Sequence, residues 1–507
     1  MKLASVCQFW AAAVGAGAIA LSAPPALARP GLQVAAVQFA VTPANGSPSD
    51  FTATGQTIQR VVGDLKSTVT LLACGPDRLC ILTAPFPVNN GNLQTAVRLL
   101  LAKELELPPQ AIVCSSAHDH SIPLLLVRNP AAWGQAGDYP PPAESNAIAR
   151  QFLIGVSHAA RGLALKLQPV TVAWGTAKET RVTYNRRGRL PDGKSYFIRE
   201  EDRLKLGPDY VGKIDDDASV VVFQDVRGRP VTAFAFFTGH PVTGYNPEAP
   251  IAFGQWPQVA CEKPSADLGG VPVAFLQGSA GDINSKYMLS GTIAQSMELG
   301  GYLGDSYIKA AHALHRSRRT DFEWKRARVD IPLNDLPSIP SLEKDLATID
   351  GFIRRGRAGD PDTRTCVGMN FPLALSPPYR ANLVMMVRPW YVWALDQRRT
   401  GAAATLPKTL PLEIVVARIG DVGLVGMPFE AFVSTGLKIK RETPLPCVLP
   451  CTYIDGMQGY IPDSASCDDR EYQAGYFRYL GNRPPYRSPG GDAAAFVAIA
   501  ALKQFAR

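Results

Sequence analysis

Apolar residues recur along this chain in two patterns, one with the period of a helix and one in short continuous runs. The segment 94–105 is apolar at helical spacing and stops before two prolines, which predicts a helix. The short apolar runs predict buried strands, and they lie at 111–115, 220–223, 231–237, 271–277, 412–419 and 422–427. The last apolar segment, 492–505, predicts a helix with Asp492 as its N-cap. Together these elements predict a mixed α/β fold, with central sheets covered by helices.

The predicted strands share one feature, since several of them end at a polar residue or at a loop of small residues. These ends read Ala117-His118-Asp119-His120, Gly239-His240-Pro241, Gly278-Ser279-Ala280-Gly281-Asp282 and Pro428-Phe429-Glu430. In α/β sheets, ligands bind in the crevice beyond the strand ends. The sequence therefore predicts a site assembled at strand ends within one large domain.

Three histidines and a glutamate at these ends are candidate metal ligands. On an extended segment, His118 and His120 share a face, so both imidazoles would point into one pocket. Neutral imidazole is a common zinc ligand, although two incidental histidines on a surface loop have the same spacing. His240 ends a strand, where it is either a ligand or a hydrogen-bonded residue at the edge of the core. Glu430 lies among apolar residues, where a carboxylate needs a cation or an ion pair.

The first residues have the pattern of a secretory signal peptide, 1–28. Lys2 precedes a short apolar stretch, and Ala26-Leu27-Ala28 is a small-x-small cleavage site, so we expect cleavage after Ala28. The apolar stretch is shorter than the roughly 20 residues that span a bilayer, and no other candidate span follows. The expected mature protein is secreted or periplasmic.

Export favours disulfides, because an oxidising compartment pairs cysteines and an even number would remain after cleavage. We expect one bridge between Cys74 and Cys80. We expect another within the late group, Cys447, Cys451 and Cys467. Cys114 lies inside an apolar run and is expected to be a buried thiol.

Charge and the remaining motifs exclude several classes of function. The formal net charge is +8, but the basic residues are dispersed and form no nucleic-acid motif, so we expect no nucleic-acid partner. The acidic run 215–217 is interpreted as a turn rather than a calcium site. No G-x-S-x-G elbow supports serine catalysis. The Pro-rich stretch 333–340 predicts the start of an insertion that runs to about 405.

Six motifs, in order, give the chain a family resemblance. They are Ala117-His118-Asp119-His120-Ser121-Ile122-Pro123, Tyr184-Asn185-Arg186-Arg187, Phe236-Phe237-Thr238-Gly239-His240-Pro241, Gly278-Ser279-Ala280-Gly281-Asp282, Pro428-Phe429-Glu430, and the series Gly459-Tyr460, Glu471-Tyr472 and Gly475-Tyr476. The sequence resembles the neutral/alkaline (non-lysosomal) ceramidase family, as a divergent bacterial-type member, from about residue 33 to 500. The resemblance covers the catalytic N-terminal domain, here 29–507, and we expect no C-terminal immunoglobulin-like domain.

The resemblance implies a zinc site and a set of catalytic residues. The implied zinc ligands are His118, His240, Glu430 and Tyr460. The implied groups that contact the substrate amide or the product carboxylate are His120, Arg186 and Tyr472. Asn284 stands where the family has serine, and we expect it to position water or a carbonyl, since it has no hydroxyl to carry a proton.

The implied function is a secreted zinc-dependent hydrolase that cleaves a linear amide bond in an N-acyl lipid or a related N-acyl compound. Two departures, Asn284 and the Ile122-Pro123 pair in place of Gly-Pro, leave alternatives open. One alternative is a zinc hydrolase of esters or of non-lipid amides. The other is a non-catalytic secreted binding protein on the same scaffold, with a structural metal or none. The sequence gives no oligomeric state.

Overall fold

The structure, a computed structural model, describes residues 31–131, 145–193, 195–465 and 472–507. The predicted signal peptide 1–28 lies outside the described residues. Among the described helices, none combines the length and the apolar composition that crossing a membrane requires.

The described strands and helices are interspersed along the chain. The strands are β1 (Gln33–Val41), β2 (Arg60–Val62), β3 (Leu65–Cys74), β4 (Asp77–Ala84), β5 (Ile112–Ser116), β6 (Gln168–Pro169), β7 (Thr171–Lys178), β8 (Thr183–Asn185), β9 (Arg187–Arg189), β10 (Ser195–Phe197), β11 (Asp217–Gln224), β12 (Pro230–Phe237), β13 (Ile251–Phe253), β14 (Val273–Gln277), β15 (Ile283–Ser285), β16 (His315–Arg316), β17 (Phe322–Pro332), β18 (Thr365–Cys366), β19 (Met369–Asn370), β20 (Thr409–Ile419), β21 (Val422–Gly426) and β22 (Cys447–Cys451). The helices are α1 (Gly91–Glu104), α2 (Ala147–Ala160), α3 (Glu200–Leu206), α4 (Gln255–Asp267), α5 (Ile293–Ala311), α6 (Ile339–Arg357), α7 (Pro377–Thr400), α8 (Val433–Glu442), α9 (Tyr472–Gly475) and α10 (Gly490–Phe505).

Three larger sheets organise the molecule, and each mixes antiparallel pairs with one parallel pair. The first sheet has the order β5-β4-β3-β1-β6, the second β14-β12-β11-β7-β16, and the third β17-β20-β21-β22. The parallel pairs are β4 with β5, β12 with β14, and β21 with β22. The predicted mixed α/β class is confirmed.

The three sheets share one apolar core and are covered on their other faces by helices. Val34, Phe234 and Leu424, one from each sheet, belong to the same buried cluster. Helices α1 and α2 cover the first sheet, and α4 and α5 cover the second. Helices α6, α7 and α10 pack on the third sheet. The region 333–405, predicted as an insertion, contains α6 and α7, which contribute Leu342 and Val384 to that layer.

The start of the last helix and the acidic run 215–217 both bear on the sequence prediction. The last helix, α10, begins at Gly490 with Pro489 as its N-cap, so Asp492 is not the cap. Its carboxylate lies in the first turn and instead accepts a hydrogen bond from the Ser464 N–H at 3.0 Å. The acidic run 215–217 is an ion-pair cluster, because Lys440 and Lys178 donate to its carboxylates.

The predicted disulfides were wrong. Cys80 is a buried free thiol. It lies opposite Leu71 in the β3–β4 register, three positions or roughly 10 Å along the strands from Cys74, which is beyond the reach of a disulfide. Cys447 and Cys451 are also free, because they lie four positions apart on the extended strand β22, roughly 13 Å along the chain, beyond the reach of a disulfide. Cys467 lies outside the described residues. Cys114 is buried and free, as predicted.

Candidate active site

The candidate site lies beyond the carboxyl ends of the three parallel pairs. Strand β5 leads to His118, β12 leads to His240, and β21 leads to Glu430. Strand β14 leads into the small-residue loop, where the Gly281 N–H donates to the Ala431 carbonyl at 2.8 Å. Because strands of a parallel pair end at the same sheet edge, each sheet delivers its polar residues to one crevice.

The two histidines of the His-x-His segment meet, but not by the predicted geometry. His118 has a φ of 59°, in the left-handed region, so the segment is not extended. Its N–H donates to the Ser116 hydroxyl at 3.0 Å, which supports this conformation. The Nε2 atoms of His118 and His120 are 3.3 Å apart. Both imidazoles therefore face the same point, as the spacing predicted.

The His240 imidazole and the Glu430 carboxylate are in direct contact in the site. His240 Nδ1 donates to the Ile283 carbonyl at 3.0 Å, because a carbonyl can only accept. In the neutral ring Nε2 is then an acceptor, and it lies 3.0 Å from Oε2 of Glu430. The same oxygen is 3.8 Å from Nε2 of His118. Two acceptors at hydrogen-bond distance require a proton or a cation between them, so this donor set fits a metal ion.

Burial sets the protonation of these groups. Burial lowers the pKa of His118, His120 and His240 well below the ordinary histidine value, so all three imidazoles are neutral at pH 7. Their ligand nitrogens lie within 4.8 Å of one another. Burial raises the pKa of Glu430, because a carboxylate without a full positive partner is disfavoured there. A divalent cation would satisfy the carboxylate and the nitrogens together.

Arg186 organises the part of the site around Tyr460. Its guanidinium donates to the Asn284 Oδ1 at 2.9 Å, to the Gly281 carbonyl at 2.7 Å and to the Tyr460 hydroxyl at 2.8 Å. Burial lowers the pKa of Arg186, but Tyr460, Tyr472 and Glu430 outweigh it and raise the pKa above the ordinary value. The buried guanidinium therefore stays charged and fixes the position of the Tyr460 phenol.

Asn284 and Tyr472 take different positions around this guanidinium. Asn284 is fully buried on β15, and its Nδ2 lies 2.7 Å from the Met288 sulfur, so both ends of its amide have protein neighbours. Tyr472 begins α9 and is half-buried, with its ring centroid 5.9 Å from that of Tyr460. Tyr472 lines the cavity, whereas Asn284 lies behind Arg186.

One cavity of about 290 Å³ is lined by all of the predicted site residues except Asn284. Its polar end is lined by His118, His120, Arg186, His240, Glu430, Tyr460 and Tyr472. Its apolar part is lined by Met288, Leu289, Met369, Phe371, Leu375, Leu383 and Met386. The arrangement can therefore hold a molecule with a polar group at the histidines and an apolar chain beyond.

Sequence reasoning missed one residue at the centre of the site, Tyr453. Its hydroxyl donates to Oε2 of Glu430 at 3.1 Å and lies 3.2 Å from Nε2 of His240. Its ring stacks on His118 with centroids 4.1 Å apart. The signal was available, since Tyr453 follows the buried strand β22 as the other site residues follow theirs.

Two solved structures have the same fold over most of this chain. A crystal structure of neutral ceramidase from Pseudomonas aeruginosa aligns with a TM-score of 0.58 at 14% identity, covering 94% of this chain and 75% of that one. A structure described as ceramidase complexed with C2 aligns with a TM-score of 0.60 at 17% identity, covering 94% and 76%. No family model and no curated protein matches the sequence. The predicted resemblance to ceramidases is thus confirmed at the level of the fold.

Proposed function

We propose that this protein is a zinc-dependent hydrolase of linear amide bonds, with an N-acyl lipid or a related N-acyl compound as its substrate. The observation that carries the proposal is the 3.0 Å contact between Nε2 of His240 and Oε2 of Glu430, two buried acceptors that a cation would join. The ceramidase fold supports amide hydrolysis as the reaction. The signal peptide predicted at 1–28 would place this activity outside the cytoplasm.

The ligands proposed for zinc are His118, His240, Glu430 and Tyr460. Nitrogen and oxygen donors of this kind suit zinc. A bound zinc ion supplies an activated water near neutral pH and polarises a carbonyl oxygen. The Tyr460 phenol is held 2.8 Å from the Arg186 guanidinium, which favours the ionised form that a ligand needs, although burial is the larger effect and raises its pKa.

The other residues act on the substrate amide. His120 stays neutral because of its burial, so it would donate a hydrogen bond to the oxygen that becomes negative in the transition state. Tyr472 would donate a second from the cavity wall. Arg186 would hold a carboxylate or another polar group of the substrate. Asn284, through its 2.9 Å bond from Arg186, would keep that guanidinium in place.

The test is metal content and hydrolysis measured on the same purified samples. Wild type is compared with His118→Ala, His240→Ala and the control His312→Ala, which removes an exposed histidine that does not line the cavity. The substrates are an N-acyl sphingosine, an N-acyl amino acid and a simple ester, so that amide and ester cleavage are separated.

We expect about one zinc per chain in wild type and the control, with loss of zinc and of amide hydrolysis in both site variants. Unchanged hydrolysis in either site variant would contradict the assignment. Wild type that takes up no zinc and cleaves no substrate would leave the binding-protein alternative.

A further inference from the structure

We propose that Asp50 binds an ammonium group of the substrate at the wall of the cavity, and that it selects for substrates that carry one. The inference deepens the proposed function and rests on it, because it names a chemical feature of the substrate of the same cavity. Nothing in the sequence motifs pointed to Asp50, which lies between β1 and β2.

Asp50 is held rigidly next to the histidines. Its N–H donates to the carbonyl of Ile122, two residues after the end of the His-x-His segment, at 3.2 Å. The following residue, Phe51, stacks on His120 with ring centroids 4.2 Å apart and planes 15° apart. The Tyr245 hydroxyl donates to the Phe51 carbonyl. The Asp50 carboxylate is therefore carried on a fixed backbone, one residue from a ring that contacts the candidate metal site.

The carboxylate of Asp50 has no protein partner among the described residues, although it lines the cavity. It differs in this from Asp119, which accepts from the Ser121 N–H at 2.8 Å, and from Asp225, which accepts from the Arg227 N–H at 2.8 Å. A structural aspartate in a turn takes such backbone partners. Burial without a partner raises the pKa of Asp50 to about 7, so the fold keeps a poorly compensated carboxyl group there.

No cation of the described cavity lining is available to Asp50. Arg186 is the cationic side chain of that lining. Its guanidinium already donates to Gly281, Asn284 and Tyr460. A cation that satisfies Asp50 would therefore come from the ligand. Placing an ammonium group there would turn an unfavourable buried carboxylate into an ion pair.

Aromatic rings complete the subsite. Tyr245, Tyr379 and Tyr476 line the same cavity as Asp50. Burial raises the pKa of Tyr245 and Tyr476, and the charge of the Asp50 carboxylate raises both further, so the carboxylate acts electrostatically on both phenols. Ring faces attract cations, and a carboxylate beside several rings is a suitable environment for an ammonium group. A neutral group at this position would leave the carboxylate unpaired.

The experiment is calorimetric binding of n-octylamine and of 1-octanol at pH 8, two probes of equal chain length that differ in charge. Wild type is compared with Asp50→Asn, which keeps the shape, and with Asp50→Ser as a second variant. The control is Asp77→Asn, an exposed aspartate in the β3–β4 turn. Thermal unfolding shows which variants are folded.

We expect wild type and the control to bind the amine roughly tenfold more tightly than the alcohol, and both Asp50 variants to lose this preference. Equal affinity for the two probes in wild type, or a preference that persists in a folded Asp50 variant, would overturn the inference. Hydrolysis is assayed separately with a neutral N-acyl substrate. Amide cleavage without the amine preference would overturn only the inference about Asp50. The amine preference without any amide cleavage would contradict the proposed function.

Discussion

At the scale of single residues, the site contains residues with left-handed backbone conformations and residues with shifted pKa values. His118 and Tyr453 both have positive φ, 59° and 56°, and their rings stack on each other. Each such conformation costs on the order of 1 kcal/mol and persists where the surroundings enforce it, often at functional sites. Tyr453 also donates to Glu430. The stacked pair of His118 and Tyr453 therefore orients two candidate ligands, the His118 imidazole and the Glu430 carboxylate.

Removing the Tyr453 hydroxyl tests this orienting role. In Tyr453→Phe, Glu430 loses a hydrogen bond at 3.1 Å while the ring stack on His118 can remain. We expect zinc affinity to fall about 10- to 100-fold, as for other partners of metal ligands, with the fold retained. The measurement is competition for zinc against a chelator.

The matched control for that measurement is Tyr302→Phe, which removes a phenol that bonds Glu298 on the exposed surface of α5. Affinity equal to wild type in Tyr453→Phe would show that the hydroxyl does not orient Glu430.

At the scale of elements, the loop after β14 brings two sheets into backbone contact. The Gly281 N–H donates to the Ala431 carbonyl at 2.8 Å, next to Glu430. A Cβ at position 281 would lie 2.7 Å from the Glu430 carbonyl oxygen and 2.9 Å from that of Ala431. Glycine is therefore required here for the close approach of the loop to the segment that carries the carboxylate.

Gly281→Ala should separate these two segments. We expect the free energy of unfolding to fall by about 1 to 3 kcal/mol, with a loss of hydrolysis because Glu430 moves. Denaturant unfolding measures the free energy of unfolding.

Gly301→Ala in α5 is the opposite case, since a Cβ there meets nothing within 4 Å, and it should raise stability by about 0.5 to 1 kcal/mol. Equal stabilities of the two variants would contradict the close-approach argument.

At the scale of the whole molecule, the candidate metal site joins all three sheets. His118 follows the first sheet, His240 the second and Glu430 the third, and the same sheets share one apolar core. A ligand that contacts all three residues links elements from the beginning, middle and end of the chain. Metal binding should therefore stabilise the molecule as a unit rather than one loop.

Removal of the metal should lower the thermal stability of the whole chain. We expect the metal-free protein to unfold several degrees below the zinc-loaded protein in a single transition, because an ion bound only to the native state shifts the equilibrium by mass action. Calorimetry of wild type and His240→Ala, each with and without zinc, checks this. A zinc-dependent rise of equal size in His240→Ala would place the bound ion elsewhere.

The sequence by itself determined the element types and the residues at the strand ends. Continuous apolar runs and helical spacing are local properties, so β12, β21 and α1 were predicted close to their observed bounds. Polar residues directly after buried strands marked His118, His240 and Glu430 for the same reason. The cysteines show the limit of such reasoning, because an even count says nothing of the distance between sulfurs.

Only the tertiary structure decided which strand ends meet and what else lies beside them. His240 and Glu430 are 190 positions apart in the chain, and their 3.0 Å contact depends on how the second and third sheets pack. Asp50 belongs to a segment without a distinctive motif, and only neighbours that are distant in sequence place it at the cavity. Contacts between sheets are set by the shared core that the sheets bury, and no local period along the chain records them.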